Sequence, residues 1–123
     1  MTVSQAIDRT DRLKPNSYAY ADKLLWLNQL DGTIKKEIID SHEGGISDQF
    51  VLYTEDRDPD RVLLAEPPFD EMYIHYLSAQ IDYTNGEYER FNNANRMFES
   101  VWSAFRNAYN RTHPPKETKK KYW

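Results

Sequence analysis

Three aspartates in alternate positions, Asp56, Asp58 and Asp60, form the densest run of possible metal ligands in the chain. Asp-x-Asp-x-Asp opens the calcium loop of an EF-hand, where alternate carboxylates converge on one cation. The rest of that loop is missing. Its sixth position takes glycine for a sharp turn and here holds Arg61; its twelfth takes a bidentate glutamate and here holds Pro67. With Glu55, these carboxylates read as a solvated acidic loop. The three histidines, His42, His75 and His113, share no helical turn and match no zinc spacing. There is no cysteine, which removes disulfides, thiolate metal sites and a thiol nucleophile. No nucleophile elbow, phosphate loop or dinucleotide fingerprint occurs, and no acid, base and nucleophile assemble into a reacting set. The expectation is therefore not an enzyme, with no cofactor and no metal.

Two polar motifs remain. Asn110-Arg111-Thr112 fits the glycosylation sequon, but the first residues carry Asp8, Arg9, Asp11 and Arg12 and offer no secretory apolar run, so the match reads as chance. Asn92, Asn93 and Asn95 crowd the start of an aromatic helix, although asparagine is a poor helix former. Asn95 has two readings: a solvated side chain, or a buried one that bonds a partner and sets register.

Composition narrows the class. The chain has 123 residues, short for more than one domain. Leu, Ile, Val and Phe supply only about a fifth of it, at the edge of the range for disorder, and 17 aromatic residues make up the difference. No stretch reaches the ~20 apolar residues of a membrane span. The net charge of −4 and pI near 5.3 argue against bulk nucleic-acid binding. A polar chain with large aromatic contacts suits a helical protein that meets partners.

Spacing supplies the elements. Thr2 and Gln5 form a capping box ahead of a helix over about 3–13, with Val3, Ala6, Ile7 and Leu13 near one face. A second helix runs over about 19–40 on Leu24, Trp26, Leu27, Leu30, Ile34 and Ile38, through Gly32 and up to the glycines at 44 and 45. Phe50, Val51, Leu52 and Tyr53, then Val62, Leu63, Leu64 and Ala65, are strand-like runs around the acidic loop. They predict a β-hairpin or extended loop inserted at about 46–66, which needs cover from the helices or another subunit. A third helix starts after Pro67-Pro68-Phe69 with Asp70 as N-cap and stops at Asn85-Gly86. In the fourth, Tyr88, Phe91, Asn95, Phe98, Trp102, Phe105 and Tyr109 recur at 3 and 4, an aromatic heptad stripe that ends before Pro114-Pro115. That stripe makes the fourth helix the expected centre of the core, with Phe98 and Trp102 largely buried. The fold class is thus mainly α: four helices, two before and two after the insertion, forming one domain over 1–115. Residues 116–123, with four lysines, Tyr122 and Trp123, form an expected flexible basic and aromatic tail.

Several strings, taken together, point to a family. Leu13-Lys14-Pro15-Asn16 leads into Leu24-x-Trp26-Leu27-Asn28-x-Leu30-Asp31-Gly32. Later come Pro67-Pro68-Phe69-Asp70-Glu71-Met72-Tyr73, Ala79-Gln80-Ile81-Asp82-Tyr83-x-Asn85-Gly86-Glu87-Tyr88, Phe91-Asn92-Asn93 and Tyr109-Asn110-Arg111-Thr112. Over about 2–40 and 62–113 the chain resembles head–tail connector (adaptor) proteins of tailed phages and prophages of Gram-positive bacteria. The resemblance implies a structural virion protein at the neck, made in the bacterial host cytoplasm. Its subunits form a ring, usually of twelve, between the portal and the stopper or tail-completion protein. The ring extends the DNA channel, close to packaged DNA without specific contact, and touches no membrane. On that footing, Lys119, Lys120, Lys121, Tyr122 and Trp123 would dock on the portal. Phe50, Val51, Leu52, Tyr53, Val62, Leu63 and Leu64 would reach a neighbouring subunit, with Glu55, Asp56, Asp58 and Asp60 at a wet tip. The alternative is a small helical regulatory or nucleic-acid-binding module, opposed by the acidic pI and the near balance of Arg and Glu on the last helix.

Overall fold

The first helix, α1 (Val3–Leu13), starts where its capping box places it. Thr2 Oγ1 accepts from the Gln5 amide at 3.2 Å, and the Gln5 side chain accepts from the Thr2 amide at 2.9 Å. Two of the donors that every helix start leaves unpaired are thereby satisfied. The computed structural model describes residues 1–40 and 50–113. The buried face of α1 is Val3, Ala6, Ile7 and Thr10. Leu13, expected on that face, is 69% exposed. At roughly 100° per residue, Thr10 falls in the middle of the stripe and Leu13 about 70° off it. The Thr10 hydroxyl is buried without loss because it donates to the Ala6 carbonyl at 2.8 Å.

Helix α2 (Tyr20–Ile34) runs through Gly32 as its periodicity requires, then widens into a π-helical turn, Lys35–Ile39. Ile38 and Ile39, adjacent in this wider turn, are both buried. The stop expected at 41–45 lies outside the described residues.

Helix α3 (Glu71–Thr84) begins one residue after Asp70, but not by a side-chain cap. Asp70 already has helical angles, and its Oδ2 lies 3.3 Å from the Met1 amine. Helix α4 (Tyr88–Thr112) follows after three residues. Its 25 residues span about 37 Å.

The centre of the core is α3, not α4. Met72, Tyr73, Ile74, Leu77, Ala79, Ile81 and Asp82 are all buried, so α3 is enclosed on most of its circumference by α1, α2 and α4. Only Phe105 of α4 is buried; Phe98 and Trp102 are half-buried. An aromatic stripe on one side of an otherwise polar helix covers a core from outside, whereas a helix apolar nearly all round must sit within it.

The α3–α4 contact is an antiparallel ladder of rings. Tyr83 meets Phe91 at 5.3 Å, Tyr76 meets Phe98 at 5.2 Å, and Phe69, just ahead of α3, meets Phe105 at 5.8 Å. Residues 69, 76 and 83 are seven apart, as are 91, 98 and 105, so each helix presents one ring per two turns. All three pairs are tilted or edge-on, the arrangement that aligns ring edges with ring faces. Tyr88, Trp102 and Tyr109 extend the ladder with further ring contacts. Asn95 is half-buried beside it, and its side chain makes no hydrogen bond among the described residues.

Register depends on the reversal between the helices. Gly86 has φ +76°, and a Cβ built there would meet nothing within 4 Å. Only backbone strain opposes a side chain. Gly86→Ala should therefore cost about 1–2 kcal/mol, the left-handed penalty, and Gly86→Asn visibly less. Chemical denaturation midpoints of the two variants check this; equal midpoints would mean that the turn relaxes.

The fold is mainly α, with four helices and, among the described residues, no strand. The β-hairpin expected over the insertion is not shown. Residues 50–53 and 62–65 find other partners. Val3 donates its amide to Arg61 O at 3.0 Å and Leu63 donates to Met1 O at 3.0 Å, making one antiparallel bridge, Thr2 to Val62. Tyr53 is gripped by the Asn28 side chain, which accepts from its amide at 2.7 Å and donates to its carbonyl at 3.1 Å. These contacts occupy the backbone groups that a hairpin ladder would use. The insertion is an extended segment laid on the helices.

Candidate functional site

The extended segment is tied down by one carboxylate. Asp31, on α2, is fully buried. Its Oδ2 accepts from the Tyr53 hydroxyl at 2.5 Å and from the Leu64 amide at 3.1 Å; its Oδ1 accepts from the Tyr73 hydroxyl at 2.6 Å. The Tyr73 oxygen in turn accepts from the Ala65 amide at 2.8 Å. One acid thus joins α2, α3 and both ends of the insertion. Burial raises the Asp31 pKa despite three donors that favour the charged form. Burial, then the Asp31 charge, drives both tyrosines upward, so each keeps its proton and donates it to the carboxylate. Short bonds to a carboxylate are among the stronger hydrogen bonds in proteins. The group is closed on itself and presents no reactive atom to solvent, so its role is to hold.

A second polar knot fixes α1 against α2. The buried Lys23 ammonium donates to Asp11 Oδ1 at 2.8 Å and to Asn16 Oδ1 at 3.1 Å, and Asn16 donates to Asp11 and to the Lys14 carbonyl. Beyond it, Lys14 Nζ lies 2.9 Å from Asp82 Oδ1, an ion contact in which the angle is wrong for a hydrogen bond.

Of the residues expected to meet a neighbour, the structure separates two sets. Tyr53 and Leu63 are buried, and Phe50 and Leu64 are half-buried against the helices. Val51, Leu52 and Val62 are exposed at 60%, 60% and 66%. Arg61 closes the segment, its guanidinium 4.5 Å from the Tyr53 ring centre. In the acidic loop Glu55, Asp56 and Asp60 are exposed. Asp58 does something else: it accepts from the Thr54 amide at 2.7 Å and the Thr54 hydroxyl at 3.1 Å, bonds that with nearby arginines lower its pKa. Alternate aspartates here build a turn, as Asx side chains do. Lys119, Lys120, Lys121, Tyr122 and Trp123 lie outside the described residues.

Sequence reasoning missed Asn28, Asp31 and Tyr73. The signal was present but faint: Asp31 falls among the apolar positions of α2, where a charged residue needs a buried partner.

A cleft of about 380 Å³ opens where α4 overruns α3. Past Phe105, α4 continues for about 10 Å to Thr112. Phe69, Pro67 and Leu64 form the opposite wall, with Ile39 from the π turn. Glu66 lies on its lining, and the Tyr109 and His113 rings, also on it, stack at 4.0 Å. Among the described residues no helix is long and apolar enough to cross a membrane, and no three acidic or histidine side chains group to hold a metal. Comparison with protein-family models, with curated proteins and with solved structures finds no match to this chain.

Proposed function

We propose that the chain is a structural subunit of a head–tail connector ring in a tailed phage or prophage, placed between the portal and the stopper or tail-completion protein. The observation that carries this reading is the pinned insertion. Asn28, Asp31 and the start of α1 hold residues 50–65 in place, yet Val51, Leu52 and Val62 face solvent. A loop that served only to connect helices would be polar and loosely held. An apolar edge held by buried hydrogen bonds is preorganised for a second surface, and preorganisation lowers the cost of association. In a ring the same edge of each subunit meets a different face of the next, and closure leaves no edge uncovered. The motif strings that resemble connector proteins agree with this reading. Glu55, Asp56 and Asp60 would then line wet space, where carboxylates repel DNA phosphates and keep a channel from binding its cargo. Lys119, Lys120 and Lys121, with Tyr122 and Trp123, would supply a basic and aromatic anchor for the portal.

The test is assembly. Light scattering of the chain, alone and with portal, should give particles many times 14.6 kDa. Leu52→Asp with Val62→Asp should leave helical circular dichroism unchanged and reduce assembly at least tenfold. Normal assembly by that variant would remove the insertion from the interface. A chain that stays monomeric and ignores portal would remove the connector reading itself.

A further inference from the structure

The cleft at the end of α4 is lined by apolar and aromatic side chains, with the Glu66 carboxylate beside them. Ile39, Leu64, Phe69 and Phe105 supply apolar lining, while Tyr109 and His113, also on it, stack on each other. Glu66 lies on its lining, and among the described residues no lysine or arginine does. Asp40, just after Ile39, is already paired with the Lys35 ammonium and adds no free charge to the cleft. The cleft therefore suits a segment that carries large aromatic rings beside cationic side chains. The chain holds such a segment. Residues 114–123 follow His113 directly and place Lys119, Lys120 and Lys121 immediately before Tyr122 and Trp123.

We propose that residues 119–123 of the same chain occupy this cleft, with Tyr122 and Trp123 against Phe69 and Phe105 and the lysines toward Glu66. Reach is sufficient. Ten residues extend to roughly 33 Å, and the cleft lies along only the last two turns of α4, about 12 Å from the point where the segment leaves the helix. Tethering also favours the chain's own segment over that of a second copy. A short linker holds its ligand at an effective concentration on the order of millimolar, far above the concentration of other copies in dilute solution. The segment thereby covers the part of Leu64 and Phe69 that their neighbours leave exposed. This inference rests on the cleft and the sequence after it, and stands apart from the connector reading. If both hold, the portal must draw the segment out of the cleft before it can bind it.

The absence of cysteine makes the test clean. In the full chain, Lys121→Cys is combined either with Ala108→Cys, on the cleft lining, or with Asn107→Cys, one residue away and exposed. Under mild oxidation at low protein concentration, the 108/121 pair should form an intramolecular disulfide at least ten times faster than the 107/121 pair. Adding Tyr122→Ser and Trp123→Ser should bring the two rates within about twofold. Equal rates in the first comparison would overturn the proposal. So would a disulfide that links two chains, which would give the cleft to a second copy. A second measurement leaves the cleft unaltered: Trp123→Ser should shift the amide resonances of Phe69, Ala108 and Thr112 and leave those of α1 in place. Unmoved resonances at the cleft would likewise overturn it.

Discussion

Asp31→Ala should destabilise the protein by about 3–5 kcal/mol, close to the whole stability of a marginal domain. The variant does more than delete a few hydrogen bonds. It leaves two buried phenol groups and the Leu64 amide with no acceptor, in a space that water does not reach. Each orphaned donor carries its own desolvation cost of about 1–3 kcal/mol. Tyr53→Phe, which removes one donor and leaves the acid two others, should cost only about 1.5–3 kcal/mol. Urea midpoints rank the two variants. An Asp31→Ala protein within 1 kcal/mol of the parent would mean that the insertion is not held through this acid.

The pH dependence of the same group has an unusual sign. Its pKa is higher folded than unfolded, because burial outweighs its donors. Between the ordinary carboxylate value and the raised folded value, the folded state binds the extra proton. The Asp31 contribution is therefore most favourable below the ordinary value and fades as pH rises through the folded one. Mild acid should strengthen the parent relative to Asp31→Asn, which cannot titrate. Most paired carboxylates act in the opposite direction. Asp58 in the insertion is of that ordinary kind, since its donors hold its pKa down.

The second large effect decides which helix is central. Leu77→Ala, in the middle of α3 with no exposure, should cost about 2–5 kcal/mol. Trp102→Ala, in the middle of α4, removes a larger side chain but one that is only half-buried and meets Phe98 at 5.9 Å. It should cost less than Leu77→Ala, because part of the space it leaves is open to water and needs no dry cavity. Thermal or urea unfolding of both variants gives the order. The reverse order would return α4 to the centre of the core.

Local signals were legible and distant ones were not. The Thr2–Gln5 box, the Asn85–Gly86 reversal and the run of the second helix through Gly32 each depend on residues within a few positions. The place of α4 was misread because an aromatic heptad stripe looks the same on a helix inside a core and on one lying over it. Only the composition of α3, apolar on most sides, separates the two. The runs at 50–53 and 62–65 are extended as expected, but the β-hairpin between them is not shown, for a related reason. β-branched and aromatic residues mark a chain that is extended and half-buried, but do not name its neighbour. The partner here is an aspartate 22 residues before Tyr53 and 42 before Tyr73. No periodicity links such positions. The ring pairs were closer to hand: 69 with 105, 76 with 98 and 83 with 91 share one sum, as any antiparallel hairpin about position 87 demands.

That common midpoint sets an order of closure. The pair nearest the turn, Tyr83 with Phe91, encloses a loop of eight residues, and each further pair adds only fourteen to what is already closed. The entropy of loop closure rises slowly with length, and here it is met in small nested steps. The Asp31 junction opens on a longer span: it must first bridge 22 residues to Tyr53, then 33 to Leu64 and 42 to Tyr73. The route of least entropic cost builds the α3–α4 half outward from Gly86 and draws the N-terminal half onto it afterwards. The buried carboxylate is then the seam where the α3–α4 half is joined to α2 and to the insertion.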